Sequence, residues 1–293
     1  NAYESLDEPG EWYYDQMSGR LYIYPFADTT RNSTLRMTSS NFDLISVKNA
    51  SYLNLEDLTV TSSKKDGIVM NNVDHCVIEN CTLTSFEGRA VSIDNATYSG
   101  LKNSEVAYTS ISAIYLNGGD YQTMEPGYDF ITNCRIHDTN QYRTMNEGGV
   151  KFRGVKNTFS NNEVYNITDM ALNFAIVGGG PTSLDCVIEN NSFHDVVLNG
   201  KDMGAVYGGR GVVIRNNHFY NIANNDSSFP SFSANAVYLD DGLSGAAITG
   251  NIFGPGASGD YIEAVKINCG HDTVITNNLF IDTRCAFNVY IAG

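Results

Sequence analysis

One short phrase recurs along the chain and limits what it can fold into: an apolar extended stretch, an Asn, two residues, then another apolar residue. The Asn falls at Asn80, Asn103, Asn133, Asn161, Asn190, Asn216 and Asn277, always three residues before an apolar side chain, and Gly250 takes its place in an eighth copy. A second column can be laid over the first. Strands are predicted to begin at Ile45, Ile68, Val91, Ile114, Val150, Leu172, Val206, Val237, Val265 and Phe287, and from Ile68 onward each is preceded by Gly or Ala. The spacing is 23 residues three times and 22 twice, with the longer intervals holding insertions. Self-similarity at this period marks a solenoid.

Leucine-rich repeats share the period, but they need a Leu-dense pattern and usually a helical arm. These units are β-branched and Asn-rich, and they lack apolar spacing at i, i+3, i+4 and i+7. The pattern predicts an all-β chain, a parallel β-helix of about ten coils, and the crossover rule makes it right-handed. Coils would stack about 4.8 Å apart, close enough for an Asn ladder in which one turn position hydrogen-bonds its counterparts above and below. The recurring Asn column is expected to be that ladder and to be buried. Residues 41–293 would form this solenoid. Residues 1–40 lie outside the register, and the stretch Glu8–Pro25 reads as two strands with a turn at Ser18-Gly19, serving as a cap, a side-packed hairpin or a junction.

Composition narrows the partners. The 293 residues carry a net charge of −15 with no basic stripe, which argues against nucleic acid. No apolar run is long enough to span a membrane. Asn, Ser, Thr, Gly and Tyr are plentiful, a composition suited to hydrogen bonding and stacking on neutral polar ligands. Of the six cysteines, Cys81 and Cys134 share a register two coils apart and Cys76 and Cys186 one four coils apart, too far for disulfides, and none shows zinc spacing, so mostly buried thiols are expected. Of seven N-x-[ST] sequons, Asn32, Asn95 and Asn225 are the better glycan acceptors, because Asn80 and Asn190 occupy the expected ladder.

Alternation along the strands defines an outward face. Its columns include Tyr115, Asn117, Lys151, Arg153, Asn173, Tyr207, Tyr238, Lys266 and Asn268, with Arg210 nearby. The longest insertions flank the same coils. Rings for stacking on sugars, with amides and charges for hydroxyls, make this face the expected substrate site. Asp202, Asp240 and Asp241 are the sharpest catalytic candidates, since two carboxyl groups about 5–10 Å apart can cleave a glycosidic bond. The alternative is that Asp202 caps a loop and Asp240-Asp241-Gly242 is turn chemistry. The cations Lys151, Arg153, Arg210 and Lys266 are either salt partners of Asp240 and Glu147 or neutralisers of a uronate carboxylate. His137 and His194, each followed by Asp, fall on another side and read as structural.

The aromatic segment Glu8-Pro9-Gly10-Glu11-Trp12-Tyr13-Tyr14-Asp15 followed by coils resembles secreted right-handed parallel β-helix carbohydrate-active proteins, glycoside hydrolases among them. Lys201-Asp202-Met203-Gly204-Ala205-Val206-Tyr207 and Ala236-Val237-Tyr238-Leu239-Asp240-Asp241 resemble successive coils of the same proteins. That resemblance implies an extracellular protein acting on a polysaccharide or oligosaccharide, with Asp202 and Asp241 as the first choice of catalytic pair and Asp240 a substitute. Polysaccharide lyases, epimerases and non-catalytic adhesins share the solenoid, so a uronate lyase or epimerase, and a structural or glycan-binding segment of a surface fibre with end-to-end contacts, stay open as alternatives. No cofactor is expected. Ca²⁺, which several β-helix lyases use, has no acidic cluster here beyond Asp240 and Asp241.

Overall fold

The computed structural model describes residues 3–30, 33–35, 37–143, 146–174, 183–199, 202–222, 234–255 and 263–291. They form two compact units, Asn1–Thr38 and Ser39–Gly293. In the first, Trp12–Asp15 pairs antiparallel with Arg20–Ile23. The turn is held by Asp15, which accepts hydrogen bonds from the Met17 N–H at 2.9 Å and from the Ser18 hydroxyl.

The second unit is a parallel β-helix. Three sheets run its length, two of nine strands and one whose main path has ten, so nine coils close and a tenth contributes its first strand. The ten-stranded sheet begins with Ile45–Ser51, Ile68–Asp74 and Val91–Thr97. Its register aligns Ile45, Ile68, Val91, Ile114, Val150, Leu172, Val206, Val237, Val265 and Phe287 in one row, the column drawn from the repeat. Among the described residues no helix is long and apolar enough to cross a membrane.

The core explains the small residue that precedes each strand. A Cβ on Gly67 would stand 2.6 Å from the Ala90 carbonyl oxygen and 2.7 Å from the Phe86 ring, and one on Gly149 would stand 2.5 Å from Ile167 Cδ1. That column turns a corner too narrow for more than a methyl group. Opposite it, Phe193, Phe219, Phe253 and Phe280 stack in register at 5.0–5.1 Å. Cys76, Cys81, Cys134 and Cys186 are buried thiols, whereas Cys269 is exposed and Cys285 partly so. Burial pushes the Cys134 and Cys186 thiols up to about 12, which leaves them inert at neutral pH.

The Asn column requires a correction. Asn80, Asn103, Asn133, Asn161, Asn190, Asn216 and Asn277 are exposed, and each has φ between 53° and 57°. They occupy left-handed corners, which Asn and Gly tolerate best; Gly250, at φ 69°, does the same. The buried ladder lies one residue later. The Asn162, Asn191, Asn217 and Asn251 backbone N–H groups donate to Oδ1 of Asn191, Asn217, Asn251 and Asn278 at 2.8–2.9 Å. Each amide also donates to a core-strand carbonyl, as Asn217 does to Ile188 at 3.0 Å. Asn217→Ala orphans both partners and is expected to cost about 1–3 kcal/mol, whereas Asn216→Gly keeps the corner and leaves the melting temperature nearly unchanged; chemical denaturation of the two variants checks this.

A second ladder crosses the next corner. The Cys76 N–H donates to Ser99 Oγ (2.9 Å), the Ser99 N–H to Asp129 Oδ1 (2.7 Å), and the Asp129 N–H to Asn157 Oδ1 (2.8 Å). Asp129 is fully buried and its Oδ2 has no hydrogen-bond partner. Burial drives the carboxyl up to about 7; the Ser99 N–H opposes the shift and the Asp74 charge adds to it. The folded chain therefore holds a proton that the unfolded chain has lost, and this residue's contribution to stability declines as pH rises from about 4 to about 7. Asp129→Asn supplies the amide that Asn157 uses in the next coil. It is expected to raise the melting temperature above neutral pH and to flatten its pH dependence, as melts across that range would show.

Candidate functional site

The outward face of the ten-stranded sheet carries the predicted columns. Tyr207 aligns with Tyr238, and Tyr238 with Lys266, which in turn aligns with Asn288. Parallel pairing puts these side chains one coil apart on the same side. Asp240 follows the strand Ala234–Leu239 and Asn268 closes the strand Glu263–Asn268.

These residues form one network. The Tyr207 hydroxyl donates to Asp240 Oδ2 at 2.6 Å, the Asn268 amide donates to Asp240 Oδ1 at 2.7 Å, and the Asp241 N–H donates to the same oxygen at 2.9 Å. Lys266 donates to Asp202 Oδ1 at 3.1 Å, and its ammonium lies 4.2 Å from the centre of the Tyr238 ring. Tyr207 and Tyr238 meet edge to face at 5.2 Å. Asp202, numerically 64 residues from Lys266, thus joins the network from the loop before its strand, its side chain 55% exposed beside a lysine only 13% exposed.

The electrostatics separate the acids. Burial pushes Asp240 up, but hydrogen bonds from Tyr207, Asn268, the Asp241 backbone and Tyr238 outweigh it and hold the carboxyl below its ordinary value. Tyr207 moves the other way: burial first, then the hydrogen bond to Asp240 and the charges of Asp240, Asp241 and Asp202, raise its phenol well above the usual range. Tyr238 is raised by burial and by Asp240 and Asp202. At neutral pH the site therefore presents an anionic Asp240 beside two protonated phenols.

The other predicted residues contribute no side chain to this network, although Tyr115, Lys151 and Asn173 align in the same column as Tyr207. Asp241, at φ 54°, is an exposed turn residue whose neighbour Gly242 has φ 75°, so its backbone supports Asp240 while its side chain faces solvent. Arg210, expected near the columns, is exposed and bridged through its backbone to Leu184. Lys151 pairs with Glu147 at 2.7 Å, and Glu147 also accepts from Ser112 and Arg143. Tyr115 sits 5.5 Å from the guanidinium carbons of both Arg89 and Arg153. Asn117 donates to Asp94 at 2.9 Å, and Asn173 is buried. Asn95 is exposed, while Asn32 and Asn225 lie outside the described residues. His137 and His194 stack with Tyr165 on another sheet. Among the described residues no three His, Cys, Asp or Glu are grouped to hold a metal ion.

Residues 43–166 match the family model described as a right handed beta helix region. The chain is a right-handed parallel β-helix. No curated protein matches the sequence. Among solved structures, the β-helix is similar to an alginate lyase from Paenibacillus sp. str. FPU-7, at 12% identity and a TM-score of 0.54, covering 86% of this chain and 92% of that one. It is also similar to a DFA-IIIase from Arthrobacter chlorophenolicus A6, at 15% identity and a TM-score of 0.50, covering 77% of this chain and 54% of that one. The chain thus spans about half the length of the second enzyme. At these identities the likeness is one of fold.

Tyr207 is the residue whose position in the network sequence reasoning underweighted, although its outward column was legible. Removing its hydroxyl takes away a donor that lowers Asp240. Tyr207→Phe is expected to raise the Asp240 carboxyl, and a carboxyl-region NMR titration of the variant checks the direction of the shift.

Proposed function

We propose that the protein is a carbohydrate-active enzyme that hydrolyses a glycosidic bond at the Asp202–Lys266–Tyr238–Tyr207–Asp240 network. The observation that carries this reading is the contrast between two carboxylates in one solvent-facing network. Asp240 is half-buried and accepts from the Tyr207 hydroxyl, the Asn268 amide and the Asp241 N–H, which suits a nucleophile or general base, and Asp202, exposed and paired with Lys266 at 3.1 Å, is the second carboxyl group that glycosidic cleavage uses. Tyr207 offers ring surface to a sugar and Asn268 and Lys266 offer donors to its hydroxyls, whereas Tyr238, expected on the open face, is buried at 2% exposure and packs beneath them. In this reading Asp240 replaces Asp241 as the partner of Asp202, and the protein works outside the cell, where polysaccharides are met.

The lyase or epimerase reading needs a base for the C5 proton of a uronate. Neither tyrosine suits that role, because each phenol is raised by burial and by neighbouring aspartates.

Asp240→Asn and Asp202→Asn are each expected to lower turnover of the cleaved oligosaccharide by about 10²–10⁴-fold with unchanged melting. Product analysis separates the chemistries: hydrolysis yields new reducing ends alone, whereas elimination adds an unsaturated uronate with its own ultraviolet absorbance. Full activity in either variant removes that residue from the mechanism.

A further inference from the structure

We infer that the first four coils carry a second, non-catalytic binding trough for a neutral oligosaccharide, separate from the Asp240 network. In each of the first three coils the chain makes two left-handed corners three residues apart. They fall at Asn49 and Tyr52, Asn72 and His75, and Asn95 and Tyr98, with φ between 49° and 58°. The two residues between the corners form a notch, and stacking turns the notches into a groove of about 450 Å³ along the helix axis. Gly119, Asp120, Glu125 and Pro126 line one end of it, where Gly119 and Asp120 pair with Pro126 and Glu125.

The walls are ordered before any ligand arrives. The Asn72 amide donates to Asn49 Oδ1 at 2.7 Å, and the Asn95 amide to Asn72 Oδ1 at 3.2 Å. Thr97 donates to Asp74 at 2.8 Å, and His75 pairs with Asp74 at 3.0 Å; these two partners, Thr97 first, hold the Asp74 carboxyl below its ordinary value. Beside the groove, Tyr52, His75, Tyr98 and Tyr128 stack at 4.8, 4.7 and 5.2 Å, which fixes the corner they occupy in the first four coils. A site ordered in this way binds without the cost of arranging its own side chains.

The lining selects the ligand. It offers amides, hydroxyls and the carboxylates of Asp74, Asp120 and Glu125, with no Lys or Arg. Such a wall repels a polyanion and accepts hydrogen bonds from hydroxyl groups. An Asn recurs in each of the first three coils, followed two residues later by a polar group, Ser51, Asp74 or Thr97, so successive rings of an extended oligosaccharide, each about one coil rise (~5 Å) long, meet an amide and a polar neighbour in turn. The coil bearing Asp120 lies three coils before that of Tyr207, about 14 Å along the axis, so a polymer held in the trough is tethered away from the reacting bond.

The test is calorimetric titration of the whole chain, carrying Asp240→Asn so that no sugar is consumed, with cellohexaose, xylohexaose and laminarihexaose as neutral probes and hexamannuronate as the charged one. At least one neutral probe is expected to bind and hexamannuronate to fail. Asn72→Gly with Asn95→Gly, which keeps the left-handed corners, is expected to weaken that binding about tenfold or more. Ser51→Trp, at an exposed notch position, is expected to do the same with unchanged melting. Binding of no neutral probe, equal binding by the variants, tighter binding of hexamannuronate, or displacement of the bound sugar by hexalysine overturns the inference. An N-linked glycan on Asn95 of the native protein also overturns it, because that sugar would fill the groove. Binding is read without turnover, so the trough and the hydrolytic reading of Asp202 and Asp240 stand or fall separately.

Discussion

Parallel backbone hydrogen bonding from coil to coil is the constraint on which the rest depends. It sets a spacing of about 4.8 Å between equivalent residues, so each position of the repeat becomes a column whose members touch. Inward columns must fill a narrow prism, which explains the Gly and Ala row against Phe86 and Ile167 and the stacked phenylalanines. Corner columns must adopt positive φ, which explains Asn and Gly. Buried turn columns must satisfy backbone donors that no strand reaches, which explains the Asn162–Asn278 ladder.

The same geometry makes outward columns chemically expressive. Where one residue type repeats, as in the exposed Asn49, Asn72 and Asn95, the column bonds along itself and becomes a rigid wall. Where types alternate, as in Tyr207, Tyr238 and Lys266, neighbouring coils juxtapose unlike groups, and a carboxylate such as Asp240 finds donors from the coils on either side. A chain that is acidic overall thereby buries a lysine ammonium against a ring and an aspartate. The exchange of charge-assisted hydrogen bonds for solvation is what separates the protonation states of Asp240 and Tyr207.

The strand column was legible to the residue because a Gly or Ala precedes it in every coil from Ile68 onward, even where insertions lengthen the period. The ladder was misread by one position because two neighbouring sites favour Asn for different reasons: one for its tolerance of a left-handed corner, the next for its amide. Doublets such as Asn216-Asn217 cannot separate them. Gly250-Asn251 can, since Gly has no side chain with which to form a ladder, and that copy marks the second position as the buried one. The Asp240-Asp241 ambiguity has the same character. Strand alternation put Asp240 on the face, and the following Asp-Gly pair marked Asp241 as the turn residue.

By itself the sequence determined the solenoid, its strand register and the outward face, because a short period repeated many times makes local pattern and tertiary contact the same information. Tertiary structure alone decided which loop acid meets Lys266, that Asp240 accepts donors from the coils on either side, that Tyr238 is buried, and that paired left-handed turns open a trough on the early coils. Those outcomes depend on where insertions return the chain and on which side-chain groups then share hydrogen bonds across coils, neither of which a repeat period encodes.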